Sequence, residues 1–138
     1  MNNVSPDKLH WIQQWVIKAD SDLKAAEHLL TLKDDCPTEV VCFHAQQGVE
    51  KYLKALLTLL DIEFPKSHDL GELLKLLPQD KSIPLTIHEA EELTDYAISA
   101  RYPDDVEFLS LSEATQANEI AKRVSSAVLA YLPRETLL

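Results

Sequence analysis

The sequence predicts an all-α protein, an antiparallel up-and-down bundle of four to five helices. Three observations predict it. Apolar residues recur at alternating steps of three and four along three long segments, the period of a helix face. Only two of the 138 residues are glycine, which disfavours tight hairpins that need positive φ. No segment sustains the alternation of a half-buried strand. The narrow stripes favour nearly parallel axes, and short connections join neighbours antiparallel.

Prolines and caps cut the chain into its elements. Ser5-Pro6 places a good N-cap before a proline at the first helical position, where a missing N–H costs nothing. Leu9, Ile12, Val16, Ala19, Leu23, Ala26 and Leu30 then form one stripe, and Trp11 and Trp15 widen it. Asp34-Asp35-Cys36-Pro37 reads as a turn with Thr38 as the next cap, opening a second helix over 39–60. There Val41, Ala45, Gly48, Tyr52, Ala55 and Leu59 make one stripe, and Phe43, Leu53, Leu57 and Leu60 another. A helix apolar nearly all round is packed on several sides. Gly48 inside it costs about 1 kcal/mol relative to alanine, which points to close approach of another helix.

After Pro65, Ser67-His68-Asp69-Leu70 reads as the start of a short third helix, 69–77. A fourth begins near Pro84 or Thr86, where Thr86-x-x-Glu89 is a capping-box pattern, and must end before Pro103. It carries Ile87, Ala90, Leu93, Ala97 and Ile98. Residues 101–111 lack helical period and read as a loop. Ser110-x-x-Glu113 opens the fifth helix, with Ala114, Ala117, Ala121, Val124, Val128 and Tyr131 on its stripe.

Residues 1–138 suit a single domain. With 23 acidic against 13 basic residues, a formal charge of -10, a broad nucleic-acid-coating surface is excluded, but not a local basic pocket. Cys36 and Cys42 are too few for a disulfide framework and match no zinc spacing, so both are expected reduced, in or near the core. No secretory signal and no bilayer-length apolar run is visible, and the expected location is cytoplasmic. No Glu-x-x-His pair offers a bundle-core metal site, no Walker loop or acyl-transfer elbow is present, and no cofactor is expected.

The polar residues within helical stretches carry the candidate chemistry. His44, Gln47 and Glu50 lie on the second helix; Gln46 and Glu50 share a line with Phe43 and Leu53. Such groups either face a ligand or satisfy one another, as buried polar atoms must. Lys66-Ser67-His68-Asp69 sits at a helix start, where free N–H groups can hold an anion and Lys51 and Lys54 can add charge, or where the helix is simply capped. Arg101, beside Tyr102 and Pro103, can read a phosphate or cap carbonyls.

Over about residues 9–132 the chain resembles a HEPN domain, a small helical family of prokaryotes and higher eukaryotes that binds nucleotides. Four elements in matching order carry the resemblance. They are Ala19-Asp20-Ser21-Asp22-Leu23-x-x-Ala26, Gln46-Gln47-x-x-Glu50-Lys51-x-Leu53-Lys54-Ala55, Lys66-Ser67-His68-Asp69-Leu70, and Arg101-Tyr102-Pro103. The resemblance implies a helical bundle, a homodimer, and partnership with a small nucleotidyltransferase in a toxin–antitoxin-like pair. Many members are metal-independent RNases with an Arg-x(4–6)-His motif. Here Val106, Glu107 and Phe108 stand where that histidine would follow Arg101, and neither Arg123 nor Arg134 has one.

The expectation is therefore a module that binds a nucleotide or an RNA phosphate and lacks the usual RNase activity. Lys51, Lys54, Lys66, His68 and Arg101 would bind, with Tyr102 for base stacking and His44, Gln47 and Glu50 in a polar cleft. Two alternatives stand beside it. One is a metal-independent RNase toxin with His44 or His68 as substitute acid or base; the other is a purely structural interaction module whose acidic surface meets a basic partner.

Overall fold

The computed structural model describes residues 4–99 and 108–137. These hold five α-helices and no strand: α1, Pro6–Leu30; α2, Thr38–Leu59; α3, Leu70–Lys75; α4, Ile87–Ser99; and α5, Leu111–Tyr131. Arg101 and Tyr102 lie outside the described residues, as does most of the loop expected over 101–111; residues 108–110 are non-helical.

Side-chain contacts fix the directions. Lys8, at the start of α1, donates to Asp61 and to the Leu59 carbonyl at the end of α2, so these two helices form an antiparallel hairpin. Arg123 binds Glu89 while Tyr96 meets Glu113, so α4 and α5 are antiparallel. Asn118 and Lys122 on α5 meet Glu27 near the end of α1, and Gln13 donates to the Glu135 carbonyl beyond α5. The four long helices thus run up, down, up, down, and α2 packs against each of the other four helices.

That central position explains the composition of α2. Val41, Ala45, Val49, Tyr52, Leu53, Ala55, Leu56 and Leu57 are all buried. They meet Ile12, Ala19 and Ala26 of α1, Ala90 and Leu93 of α4, and Ala114, Ala121, Val124 and Val128 of α5 in one core. Gly48 faces α1: a Cβ there would stand 3.2 Å from Leu23 Cδ2 and 3.5 Å from the Ala19 carbonyl oxygen. The close approach expected of this glycine is therefore made by α1. Cys42 is buried and Cys36 half-buried, both as free thiols. Burial first, then Glu113, Glu39 and Cys36, pushes the Cys42 thiol up to about 12.

The caps form where the sequence places them, with one exception. Ser5 accepts from the Lys8 N–H, and Asp69 accepts from that of Glu72. Reciprocal capping boxes close at Thr86–Glu89 and Ser110–Glu113. Thr38 does not cap α2: Pro37 takes the cap position without a side-chain bond, Thr38 is the first helical residue, and its hydroxyl donates to the Leu109 carbonyl. With that carbonyl just ahead of α5 in reach, the hydroxyl ties the two helix starts together. Trp15 packs against the core, whereas Trp11 is 59% exposed and does not widen the buried face. Phe64, on the chain returning from α2, covers Trp15 edge-on at 6.2 Å, and Trp11 lies one turn further out.

Gly48→Val drives added carbons against Leu23 and the Ala19 carbonyl, so its urea midpoint should fall, by about 1–3 kcal/mol of stability. A second prediction concerns acid. Hydrogen bonds from Ser110, helped by Tyr96, hold the Glu113 carboxyl below its ordinary 4.5 against slight burial. Burial raises that of Glu89, but Thr86 and Arg123 outweigh it and hold it low. Lowered carboxylates stabilise the fold above 4.5, and that contribution disappears as pH falls through their folded values. Melting temperature should therefore drop below pH 4.5, and Glu113→Gln should flatten the drop while lowering stability at pH 7.

Candidate functional site

Two buried carboxylates organise the polar residues of α2. The first is Asp22 of α1, on the buried line between Ala19 and Ala26. It accepts from Lys51 Nζ at 2.6 Å and lies 2.8 Å from His44 Nδ1. His44 and Lys51 are seven residues apart, two turns along one face of α2. The second is Glu50, whose side chain is only 4% exposed. Its carboxylate accepts from Lys54 Nζ at 3.0 Å and from Gln46 Nε2 at 3.3 Å, and it lies 2.9 Å from His68 Nδ1.

Around Glu50 the packing is asymmetric. Lys54, one turn along α2, is 8% exposed and sits between aromatic faces, 5.5 Å from the Trp15 ring centre and 5.7 Å from that of Phe64. Rings with negative faces complement an ammonium that has little water. On the other side the imidazole of His68 is 60% exposed. Its backbone is held as well, because Gln46 Nε2 donates to the His68 carbonyl at 2.8 Å while Gln46 Oε1 accepts from Gln47. The chain reaches this point by turning after α2 and returning along it. From Leu59 back to Glu50 is nine residues, roughly 13 Å of helix.

His68 borders an open cleft of about 280 Å³ lined by Ser67, His68, Asp69, Thr94, Ala97 and Ile98. A carboxylate only accepts, so the hydrogen shared with Glu50 sits on Nδ1 and the ring's other nitrogen, Nε2, is left for the cleft. Lys66 is exposed immediately before it. The first donors of α3 are already bonded, Leu70 N–H to Thr94 Oγ1 and Glu72 N–H to Asp69 Oδ1. Here the structure shows a capped helix start; these two N–H groups are not left for an anion.

The residues read as one site thus separate. His68 and Glu50 come together, Lys66 lies beside them in the chain, and Gln47 joins through Gln46. His44 and Lys51 face α1 instead, about a third of a turn around α2 from Glu50. Lys51 and Lys54 direct their charge into the fold, onto Asp22 and Glu50, because each carboxylate has few other means of compensation at its depth. Asp22, Gln46 and Thr94 take part without having been among the candidate binding residues. A signal existed for Asp22, an acid three residues after one buried alanine and four before another. Among the described residues no group of His, Cys, Asp and Glu is placed to hold a metal ion, and no helix is long and apolar enough to cross a membrane.

Comparison with known proteins agrees with this architecture. The structure is similar to the crystal structure of TT1696 from Thermus thermophilus, with a TM-score of 0.73 and 30% identity over 88% of this chain and 98% of that one. It is also similar to ST0689, described as an archaeal HEPN homologue, with a TM-score of 0.65 and 26% identity over 86% of this chain and 95% of that one. No match is found among curated proteins. The model of the HEPN domain matches residues 12–131, from the first buried residue of α1 to the C-terminal end of α5, and the chain belongs to the HEPN domain family.

Proposed function

We propose that this protein is a nucleotide- or RNA-binding HEPN module that acts with a small nucleotidyltransferase in a toxin–antitoxin-like pair, as a homodimer, without the family's usual RNase activity. The observation that carries the reading is the doubly held His68. Solvent-exposed imidazoles rarely need a buried carboxylate and a side-chain amide to fix them, and burying Glu50 is costly unless it is compensated. The arrangement presents one ring nitrogen to a cleft of small-molecule size. Lys66 and Arg101 are the phosphate contacts in this reading, and Tyr102 the stacking platform. The absence of a histidine at the Arg-x(4–6)-His spacing supports binding without cleavage.

Titration with nucleoside monophosphates and short RNAs at low and moderate salt tests the proposal. Wild type should bind, and a Lys66→Ala, Arg101→Ala double variant should weaken binding at least tenfold, with a shallower salt dependence. No binding by wild type, or equal binding by the double variant, would sink the assignment.

One observation favours a second reading, a metal-independent RNase with His68 as general base. A carboxylate bonded to Nδ1 is the arrangement that orients a catalytic imidazole. His44 has the same partner type in Asp22 but is 28% exposed against 60% for His68, and shares its carboxylate with Lys51. This reading expects RNA cleavage in EDTA that His68→Ala abolishes and His44→Ala spares. Wild type that leaves RNA intact at high enzyme concentration removes it.

A further inference from the structure

The hydrogen bonds already made around the His68 cleft select one part of a nucleotide over another. Four polar side chains line it: Ser67, His68, Asp69 and Thr94. The Ser67 hydroxyl donates to Glu72 Oε2 at 2.8 Å and accepts from the Asp69 N–H. The Thr94 hydroxyl donates to the Ala90 carbonyl at 2.8 Å and accepts from the Leu70 N–H. Neither hydroxyl hydrogen remains for a ligand. Asp69 uses Oδ1 for the Glu72 N–H, and Oδ2 has no partner among the described residues. His68 donates Nδ1–H to Glu50, whose counter-charge is Lys54, and in its neutral form the ring offers the Nε2 lone pair.

What the cleft leaves open is therefore a pair of acceptors, one of them anionic. A phosphate brings only acceptors and negative charge, and would meet repulsion there. A vicinal diol brings two donors. We infer that this cleft is a ribose subsite, in which His68 Nε2 and the Asp69 carboxylate accept hydrogen bonds from the ribose hydroxyls of the bound nucleotide, with Ala97 and Ile98 against the sugar carbons. Acidic side chains accept from ribose hydroxyls in other nucleotide sites for the same reason. Glu50 is then a positioning residue, acting on the sugar only through the imidazole it holds, and phosphate recognition falls to residues outside the cleft, Lys66 among them. This inference rests on the nucleotide-binding reading above.

The test separates the two. Binding of ribonucleoside 5′-monophosphates and of their 2′-deoxy and 3′-deoxy counterparts is measured by calorimetry at pH 8. Ribonucleotides should bind about tenfold more tightly than either deoxy form, the effect of one lost charge-assisted or well-held hydrogen bond. His68→Phe should bring that ratio near one for the deoxy form lacking the hydroxyl that the imidazole accepts from, whereas Lys66→Ala should weaken ribo and deoxy forms equally. Glu50→Gln should reduce the ratio too. Because it leaves Lys54 without its carboxylate, the Glu50→Gln, Lys54→Met pair is measured beside it, and it should show the same lowered ratio in a stably folded protein. Nucleotide binding with a ratio near one in wild type overturns the ribose assignment while leaving nucleotide binding intact. So does a His68→Phe variant that weakens all forms equally, which would place phosphate at the ring. Failure of every nucleotide to bind overturns both.

Discussion

Helix α2 is enclosed by the other four helices, and that enclosure dictates what its polar residues do. A carboxylate such as Glu50 on an enclosed helix has no water to fall back on, so it must be compensated from within the protein. Lys54 supplies charge from one turn along the same helix, and His68 and Gln46 supply hydrogen bonds. The same condition applied to Asp22 recruits Lys51 and His44 from α2. Both clusters follow from one packing fact.

The two clusters nevertheless have different consequences. Asp22 links two long helices that already share an extensive apolar face, so its partners come from elements fixed by the core. Glu50 links α2 to a returning, largely irregular segment whose few apolar anchors include Phe64 and Leu70. Ion pairs with one removed partner are costly in proportion to burial. The Glu50 network thus helps to hold residues 66–69, while buried Leu70 and its N–H bond to Thr94 anchor the start of α3. Holding His68 itself by a buried carboxylate and a side-chain amide leaves its outer side exposed.

Local signals in the sequence carried most of the fold. Ser5, Asp69, Thr86 and Ser110 cap the helices they precede because a cap is settled by residues three positions apart. The stripes of α1, α4 and α5 are the observed buried faces because periodicity reflects burial directly, though Trp11, Ile87 and Ile98 show that a stripe's margins are exposed. Thr38 escaped this logic since its hydroxyl partner, the Leu109 carbonyl, is 71 residues away. The site was less legible for the same reason. The motif residues Lys51 and Lys54 look like adjacent cations in sequence, but Lys51 reaches across to Asp22 of α1 whereas Lys54 folds back onto Glu50 of its own helix. Only the three-dimensional pairing of Asp22 with Lys51, and the burial of Lys54 beside Glu50, shows that both charges are turned toward carboxylates of the fold.

That pairing also sets the scale of electrostatics the protein can bring to a ligand. Lys8 and Arg123, like Lys51 and Lys54, are bonded to carboxylates. With a formal charge of -10 on the whole chain, long-range repulsion opposes any polyanion. Affinity for a long nucleic acid grows with the number of phosphates neutralised, and here seven of the lysines and arginines among the described residues are already paired with carboxylates. A single nucleotide or a short RNA end demands much less. It needs one or two cations near one phosphate, and hydrogen-bonding groups that recognise neutral parts of the ligand. A cleft whose free groups are acceptors, beside an exposed lysine, suits that division. The acidic balance of the sequence and the proposed nucleotide ligand are then compatible, because recognition is carried by fixed hydrogen bonds at short range and not by the field of the protein as a whole.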